Sequence, residues 1–207
     1  MLIVGLTGGV ASGKTVVSQI LREEGAYLIN ADQIARNLVR PHSPAWKELR
    51  RVFGDGILDE DGSIHRKKLA AKVFSDPEQR NLLNQILHPR IKEEIEREVK
   101  EIGEKDPDGI VVIDAALLVE LGDYREMDRL IVVASTKMQQ IERLAKRDGL
   151  EEEEAQRILC SQMPVEEKLK VADFVIRNDG SLEETKRKAR EIFQELKSIA
   201  LETKKRY

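Results

Sequence analysis

Five short apolar runs punctuate the chain: "LIVGL" at 2–6, "AYLIN" at 26–30, "IVVID" at 110–114, "RLIVVA" at 129–134 and "DFVIR" at 173–177. Each is too short for a core helix and rich in branched side chains, so each predicts a buried strand. Between them apolar residues recur at three- and four-residue spacing, the period of a helix with one buried face. Ala189, Ile192, Phe193, Leu196, Ile199 and Ala200 form one such stripe in a last helix that begins at Ser181-Leu182-Glu183-Glu184. That start is a capping box, as is Thr136-Lys137-Met138-Gln139 after the fourth run. Strands alternating with helices predict an α/β fold, a five-stranded parallel sheet with helices on both faces.

The spacing of the runs is uneven. The second and third are much farther apart than one crossover requires, and the excess, about 35–105, reads as a helical insert. Pro77 in "SDPEQ" suits the first position of a helix, and Pro89 is expected to break that helix at His88. A second, highly charged excursion at about 148–171 lies between the fourth and fifth runs. The core would then comprise about 1–34, 106–147 and 172–207 within a single domain. The basic end, "TKKRY" at 203–207, reads as a solvated helix end.

The segment joining the first strand to the first helix is "GLTGGVASGKT" at 5–15. Gly8, Gly13, Lys14 and Thr15 stand at the spacing of a phosphate-binding loop, G-x-x-x-x-G-K-[ST]. Glycines let the backbone turn N–H groups toward an anion, and the following helix adds its free N–H groups and positive dipole end. Lys14 then reaches the β- and γ-phosphates of a nucleotide, and Thr15 gives an oxygen to Mg²⁺. Asp114, ending the third run, either orders that Mg²⁺ through water or caps the next turn. Asp32, just past the second run, suits the general base for an alcohol acceptor or the N-cap of "QIARNL". Beside the phosphate loop the base reading is favoured, on the expectation that the second strand neighbours the first.

A GTPase switch needs Asp-x-x-Gly after the third strand, where this chain has Asp114-Ala115-Ala116-Leu117, and a guanine-reading acid where it has Gln139. A small-molecule kinase fits better. Arg143 and Arg147, four apart on one helix face, suit a lid that closes on phosphates, or else pair with Glu142 or Glu151–Glu154. A net charge of −3 excludes a broad basic field for nucleic acid, and no apolar run is long enough for a membrane span. Cys160, the single cysteine, fits a reducing cytoplasm and reads as core filler on an apolar helical face.

The motifs resemble the dephospho-CoA kinase family from end to end of the chain. "GLTGGVASGKT", "LINADQIAR" at 28–36, "FGDGILDEDG" at 53–62, "VFSDP" at 73–77, "ILHPRI" at 86–91, "ALLVE" at 116–120, the Arg143–Gly149 segment and "ADFVIRNDG" at 172–180 follow the family's order. Ala11 replaces a common glycine, Thr15 a common serine, Asn30 a common acid and Ala116 a proline. The resemblance implies a P-loop kinase with a helical acceptor-binding insert and a lid. It would transfer the ATP γ-phosphoryl group to the ribose 3′-hydroxyl of dephospho-CoA, with Mg²⁺ as cofactor.

The resemblance also implies site roles. Asp32, Lys14 and Arg143 would be catalytic. Gly9, Ala11, Ser12, Gly13, Lys14, Thr15, Val16, Arg143 and Asn178 would bind ATP. Asp32, Arg36, His88 and Leu117 would bind the acceptor. Thr15 would hold Mg²⁺, with Asp32 acting through water and Asp114 as the further candidate. Trp46 reads as packing within the insert rather than as an acceptor contact. A cytoplasmic monomer is favoured over a homo-oligomer, with neither nucleic acid nor a membrane as partner. A nucleoside or nucleotide kinase of the same fold is the alternative.

Overall fold

Strands β1 (Leu2–Gly8), β2 (Tyr27–Asn30), β3 (Ile110–Asp114), β4 (Arg129–Ala134) and β5 (Phe174–Arg177) form one sheet, ordered β2-β3-β1-β4-β5. The computed structural model describes residues 1–74 and 76–204. The readings placed on Ser75 and on Lys205–Tyr207 of the basic tail lie outside them. Strand β1 pairs in parallel with β3 on one side and β4 on the other, and β4 pairs in parallel with β5. Every residue of β3 is buried, whereas β2 carries exposed positions at both ends. An apolar strand without a polar face belongs inside a sheet and a mixed one at its edge. This corrects the expectation that β2 neighbours β1: β3 lies between them, and Asp114 is in register with Leu6.

Helices α1 (Lys14–Glu23), α2 (Ala31–Leu38), α3 (Pro44–Phe53), α4 (Arg66–Phe74) and α5 (Pro77–Lys105) precede β3; α6 (Leu118–Leu121) and α7 (Lys137–Asp148) flank β4; α8 (Glu152–Cys160), α9 (Val165–Leu169) and α10 (Leu182–Lys204) complete the chain. Alternate strand residues serve opposite faces of the sheet. Ile131 and Val133 of β4 join Val17 and Leu21 of α1 and Ile192, Phe193 and Leu196 of α10 in one core. Leu130 and Val132 face the other way and pack with Leu118, Val165 and Leu169.

The Ser181–Glu184 capping box is complete: Glu184 accepts from the Ser181 N–H at 2.8 Å, and Ser181 Oγ accepts from the Glu184 N–H at 3.2 Å. The Ser181 N–H and the Ser181 hydroxyl, which donates to the same carboxylate at 3.1 Å, hold the Glu184 carboxyl below the usual carboxylate range. The Thr136 box is only half formed. Thr136 Oγ1 caps Gln139 N, but the Gln139 side chain donates to the Asp179 carbonyl, and Asp179 accepts from the Thr136 N–H instead. A tertiary partner has replaced the local one.

The chain divides into two compact units, Met1–Ile29 with Val99–Tyr207, and Asn30–Glu98. In the second, Leu49, Phe53, Ile57, Leu69, Val73 and Ile86 form a separate core. Trp46 is buried there, its indole N–H donating to the Gly62 carbonyl at 2.8 Å, so it packs. An antiparallel bridge joins Leu58 and Ile64, so this unit is not wholly helical.

Pro89 does not break α5, which runs unbroken through it. Losing one helical hydrogen bond at proline costs about 3 kcal/mol. Ile86 is buried just before it, with Leu83 and Leu87 packed on the same core. Burying one such side chain stabilises by about 1.5–3 kcal/mol, so these contacts together outweigh the proline. Arg90 adds a hydrogen bond to the Ile86 carbonyl and another to Glu48 at 2.7 Å. Among the described residues, no helix is long and apolar enough to cross a membrane.

Candidate active site

The phosphate loop leaves β1 at Gly8 and enters α1 at Lys14. A Cβ on Gly8 would lie 2.5 Å from the Val133 carbonyl oxygen and 2.6 Å from Ser12 Oγ, so no larger residue fits. Ser12 N–H donates to the Gly9 carbonyl at 3.1 Å, closing the turn. Gly13, at φ 95°, then caps α1 in the left-handed region, where a side chain would also collide with the Asn178 amide. Helix geometry leaves the first amides of α1 without an acceptor one turn back. The loop therefore ends in N–H donors at the positive end of a helix, an arrangement that binds anions.

Ala11 sits at φ 55°, a region that an L-residue enters at a cost of roughly 1–2 kcal/mol. The glycine common in similar loops has a physical reason at this position, and this chain carries the strain instead.

Asn178, at the end of β5, reaches across to this turn. Its amide nitrogen donates to the Ser12 carbonyl at 2.9 Å, and its amide oxygen accepts from Thr185 Oγ1 of α10 at 2.8 Å. Arg143 of α7 donates through Nη2 to the Asn178 carbonyl at 3.0 Å, while its Nη1 is enclosed without a hydrogen-bond partner. Ser12, Gly13, Asn178 and Arg143 are thus gathered at one end of the sheet. Arg147 lies outside this group. It is exposed and pairs with Asp148 at 2.8 Å rather than with the glutamates expected from the sequence, and Asp148 pushes its guanidinium pKa further up.

Lys14 forms an ion pair with Asp114, whose side chain is 2% exposed. Asp114 is therefore not the turn cap that its place at a strand end allowed. Thr15 and Val16, on the first turn of α1, are exposed, and Leu117, following β3, is 44% exposed. Among the described residues, no group of three or more His, Cys, Asp or Glu side chains is gathered to hold a metal alone. Thr15 and Asp114 offer hard oxygen donors. These suit Mg²⁺, which retains waters and substrate phosphates among its ligands.

The remaining expected residues, Asp32, Arg36 and His88, belong to the second unit. Asn30 accepts from Gln33 N at 2.8 Å and is the N-cap of α2, so Asp32 in the first turn is not the cap. Asp32 and Arg36 are both exposed, four residues apart on one helical face. His88 is half-buried on α5 beside Pro89.

Sequence reasoning missed several supports of the loop. Gln140 donates to the Val10 carbonyl at 2.8 Å, and Gln162 accepts from the Val10 N–H at 2.9 Å. Lys168, fully buried, donates to the Ala116 carbonyl at 2.9 Å, which also accepts from Thr7 Oγ1 at 3.0 Å. Lys168 stands in a run of charges with no pattern to single it out. Thr185 was hidden inside the last helix's capping region. Cys160 is exposed, contrary to its reading as core filler, because the buried stripe of α8 runs through Ala155 instead.

A protein-family model described as dephospho-CoA kinase matches residues 2–184. The dephospho-CoA kinase of Aquifex aeolicus is 44% identical over 193 residues, covering 93% of this chain and 96% of that protein. Among solved structures, a Thermus thermophilus protein aligns with a TM-score of 0.81 and 32% identity, over 94% of this chain and 97% of its own. Dephospho-CoA kinase from Campylobacter jejuni aligns with a TM-score of 0.59 and 27% identity, over 93% and 96%.

Proposed function

The chain belongs to the dephospho-CoA kinase family, and from that premise we propose that it transfers the γ-phosphoryl group of ATP to the ribose 3′-hydroxyl of dephospho-CoA. The carrying observation is the phosphate loop, with its anion-binding turn, the Lys14 ammonium and the nearby Arg143–Asn178 pair. The 3′-oxygen forms the new bond to γ-phosphorus, the bond from γ-phosphorus to the β,γ-bridging oxygen breaks, and ADP leaves. Catalysis of this transfer rests on positioning and on charge stabilisation.

In this proposal Gly9, Ala11, Ser12, Gly13, Thr15 and Val16 cradle ATP, and Lys14 meets the β- and γ-phosphates. Arg143 stabilises charge on the transferring phosphoryl group, a role supported by the missing hydrogen-bond partner of its Nη1, and Asn178 holds the loop turn. Thr15 and Asp114 would hold Mg²⁺, with Asp32 as a further oxygen donor through water. Bound there, Mg²⁺ would neutralise charge on the β- and γ-phosphates. Asp32 takes the proton from the acceptor hydroxyl, while Arg36, His88 and Leu117 bind the acceptor. The free thiol of Cys160 supports a cytoplasmic enzyme, and the proposed working unit is a monomer.

The test is one assay with ATP and Mg²⁺ against three acceptors: dephospho-CoA, adenosine and CoA. Dephospho-CoA should release ADP and gain phosphate at the 3′-hydroxyl, and CoA, blocked there, should not react. Adenosine lacks the pantetheine arm, whose binding helps position the reacting hydroxyl, so it should lose turnover as well as affinity. Equal efficiency with adenosine would replace this proposal with a nucleoside kinase of the same fold.

A further inference from the structure

Two glutamines hold the two sides of one residue in the phosphate loop. Val10 N–H donates to Gln162 Oε1 at 2.9 Å, and Val10 C=O accepts from Gln140 Nε2 at 2.8 Å. Chemistry settles the orientation of both amides, because a backbone N–H requires an acceptor and a carbonyl a donor. Gln140 is buried on α7, whereas Gln162 is half-buried in the turn between α8 and α9. Gly9 makes room for this arrangement: a Cβ there would lie 2.6 Å from Gln140 Nε2.

The two hydrogen bonds orient two successive peptide planes. In a trans peptide the C=O and the following N–H point in opposite directions. With Val10 N–H turned to Gln162, the Gly9 C=O faces the other way, where it accepts from Ser12 N at 3.1 Å. With Val10 C=O turned to Gln140, the Ala11 N–H is directed away from α7. Ala11 then takes its left-handed φ of 55°, and the chain turns toward Gly13. The direction of the loop's N–H donors, which decides how well it binds phosphate, therefore depends on side chains outside the loop.

We propose that Gln162 is a positioning residue that couples placement of the α8–α9 segment to the conformation of the phosphate loop, and so to ATP affinity. ATP favours the loop shape in which Val10 N–H is offered to Gln162. The same hydrogen bond favours the α8–α9 turn in the position that accepts it. Such coupling is reciprocal: a segment that tightens ATP binding must itself be held more firmly when ATP is bound. The inference rests on the kinase reading only in taking ATP as the ligand of the loop.

The test compares the full chain with Gln162→Met, which keeps bulk and removes the acceptor, and with Gln162→Glu, which keeps an acceptor. ATP affinity with Mg²⁺ is measured by calorimetry, and amide hydrogen exchange across residues 152–169 is followed with and without ATP. In the unaltered protein ATP should slow exchange in that segment. Gln162→Met should weaken ATP binding about three- to tenfold, the loss expected for one net hydrogen bond, and abolish the ATP-dependent protection. Its KM for dephospho-CoA should stay within about twofold, since uniform acceptor binding is untouched. Gln162→Glu should retain the protection. A purely structural role would lower the melting temperature of Gln162→Met while leaving ATP affinity and protection intact, and that result overturns the inference. So does weakened affinity with protection preserved, or equal loss of protection in both variants. If the unaltered protein does not bind ATP, the kinase reading fails; if it binds ATP without protecting 152–169, only the coupling fails.

Discussion

Lys168→Met should destabilise the protein by about 3–5 kcal/mol, the usual result of stranding one member of a buried ion pair. Lys168 has no exposed surface, and its Nζ lies 2.8 Å from Glu120 Oε1 and 2.9 Å from the Ala116 carbonyl. Both Glu120 carboxylate oxygens are shielded and lack a well-angled hydrogen bond, so attraction to Lys168 is what compensates their charge. Glu120 is 19% exposed overall, but with its oxygens enclosed that exposure falls on the stem and does not solvate the charge. Methionine matches the lysine stem in shape, so lost packing contributes little.

Against a typical total stability of about 5–15 kcal/mol, this loss is large. For a chain of this size it corresponds to a fall in melting temperature of roughly 6–20 °C. Urea unfolding and thermal melting by circular dichroism measure it. Adding Glu120→Gln removes the stranded charge, and the double variant should regain more than half of the loss. A loss below about 1 kcal/mol, or a double variant no more stable than the single one, would show that the pair's charges are not energetically coupled.

Ala11→Gly should stabilise the fold by about 0.5–1 kcal/mol in urea unfolding: relief of the left-handed alanine is worth roughly 1–2 kcal/mol, less the added freedom of glycine in the unfolded chain. A loss of stability would mean that φ 55° is not strained here. Asp32→Asn should retain ATP affinity and reduce turnover with dephospho-CoA by about 10²–10⁴, because the amide cannot accept the proton. A fall of less than about tenfold would remove Asp32 as general base.

The strands were readable because a strand buried on both faces leaves an unbroken apolar run. Ile110–Asp114 and Arg129–Ala134 have the bounds that their runs suggested. Their order in space was less readable. Periodicity says that β2 is short and apolar but not which strand it joins. The distinguishing fact is how polar its ends are, and with Tyr27 and Asn30 exposed it belongs at the edge. The loop glycines were also readable, since each answers a local backbone demand. Gly8 and Gly13 stand where a Cβ would collide with a neighbouring carbonyl or amide.

What the sequence concealed are contacts made across long separations. Pro89 signals a helix end by local rules, yet those rules omit the buried Ile86 and the packed Leu83 and Leu87 that hold α5 on course through it. The same holds for the polar supports. Gln140, Gln162, Thr185 and Lys168 each stand in a surface-like run, and nothing nearby requires them. Each becomes intelligible only when a backbone group or polar side chain far away in sequence needs a partner: Val10 for the two glutamines, Asn178 for Thr185, Ala116 for Lys168. A local motif can state that a loop binds phosphate. It cannot state what aims the loop's peptides, because that work is done by residues whose only signature is the hydrogen bond they complete.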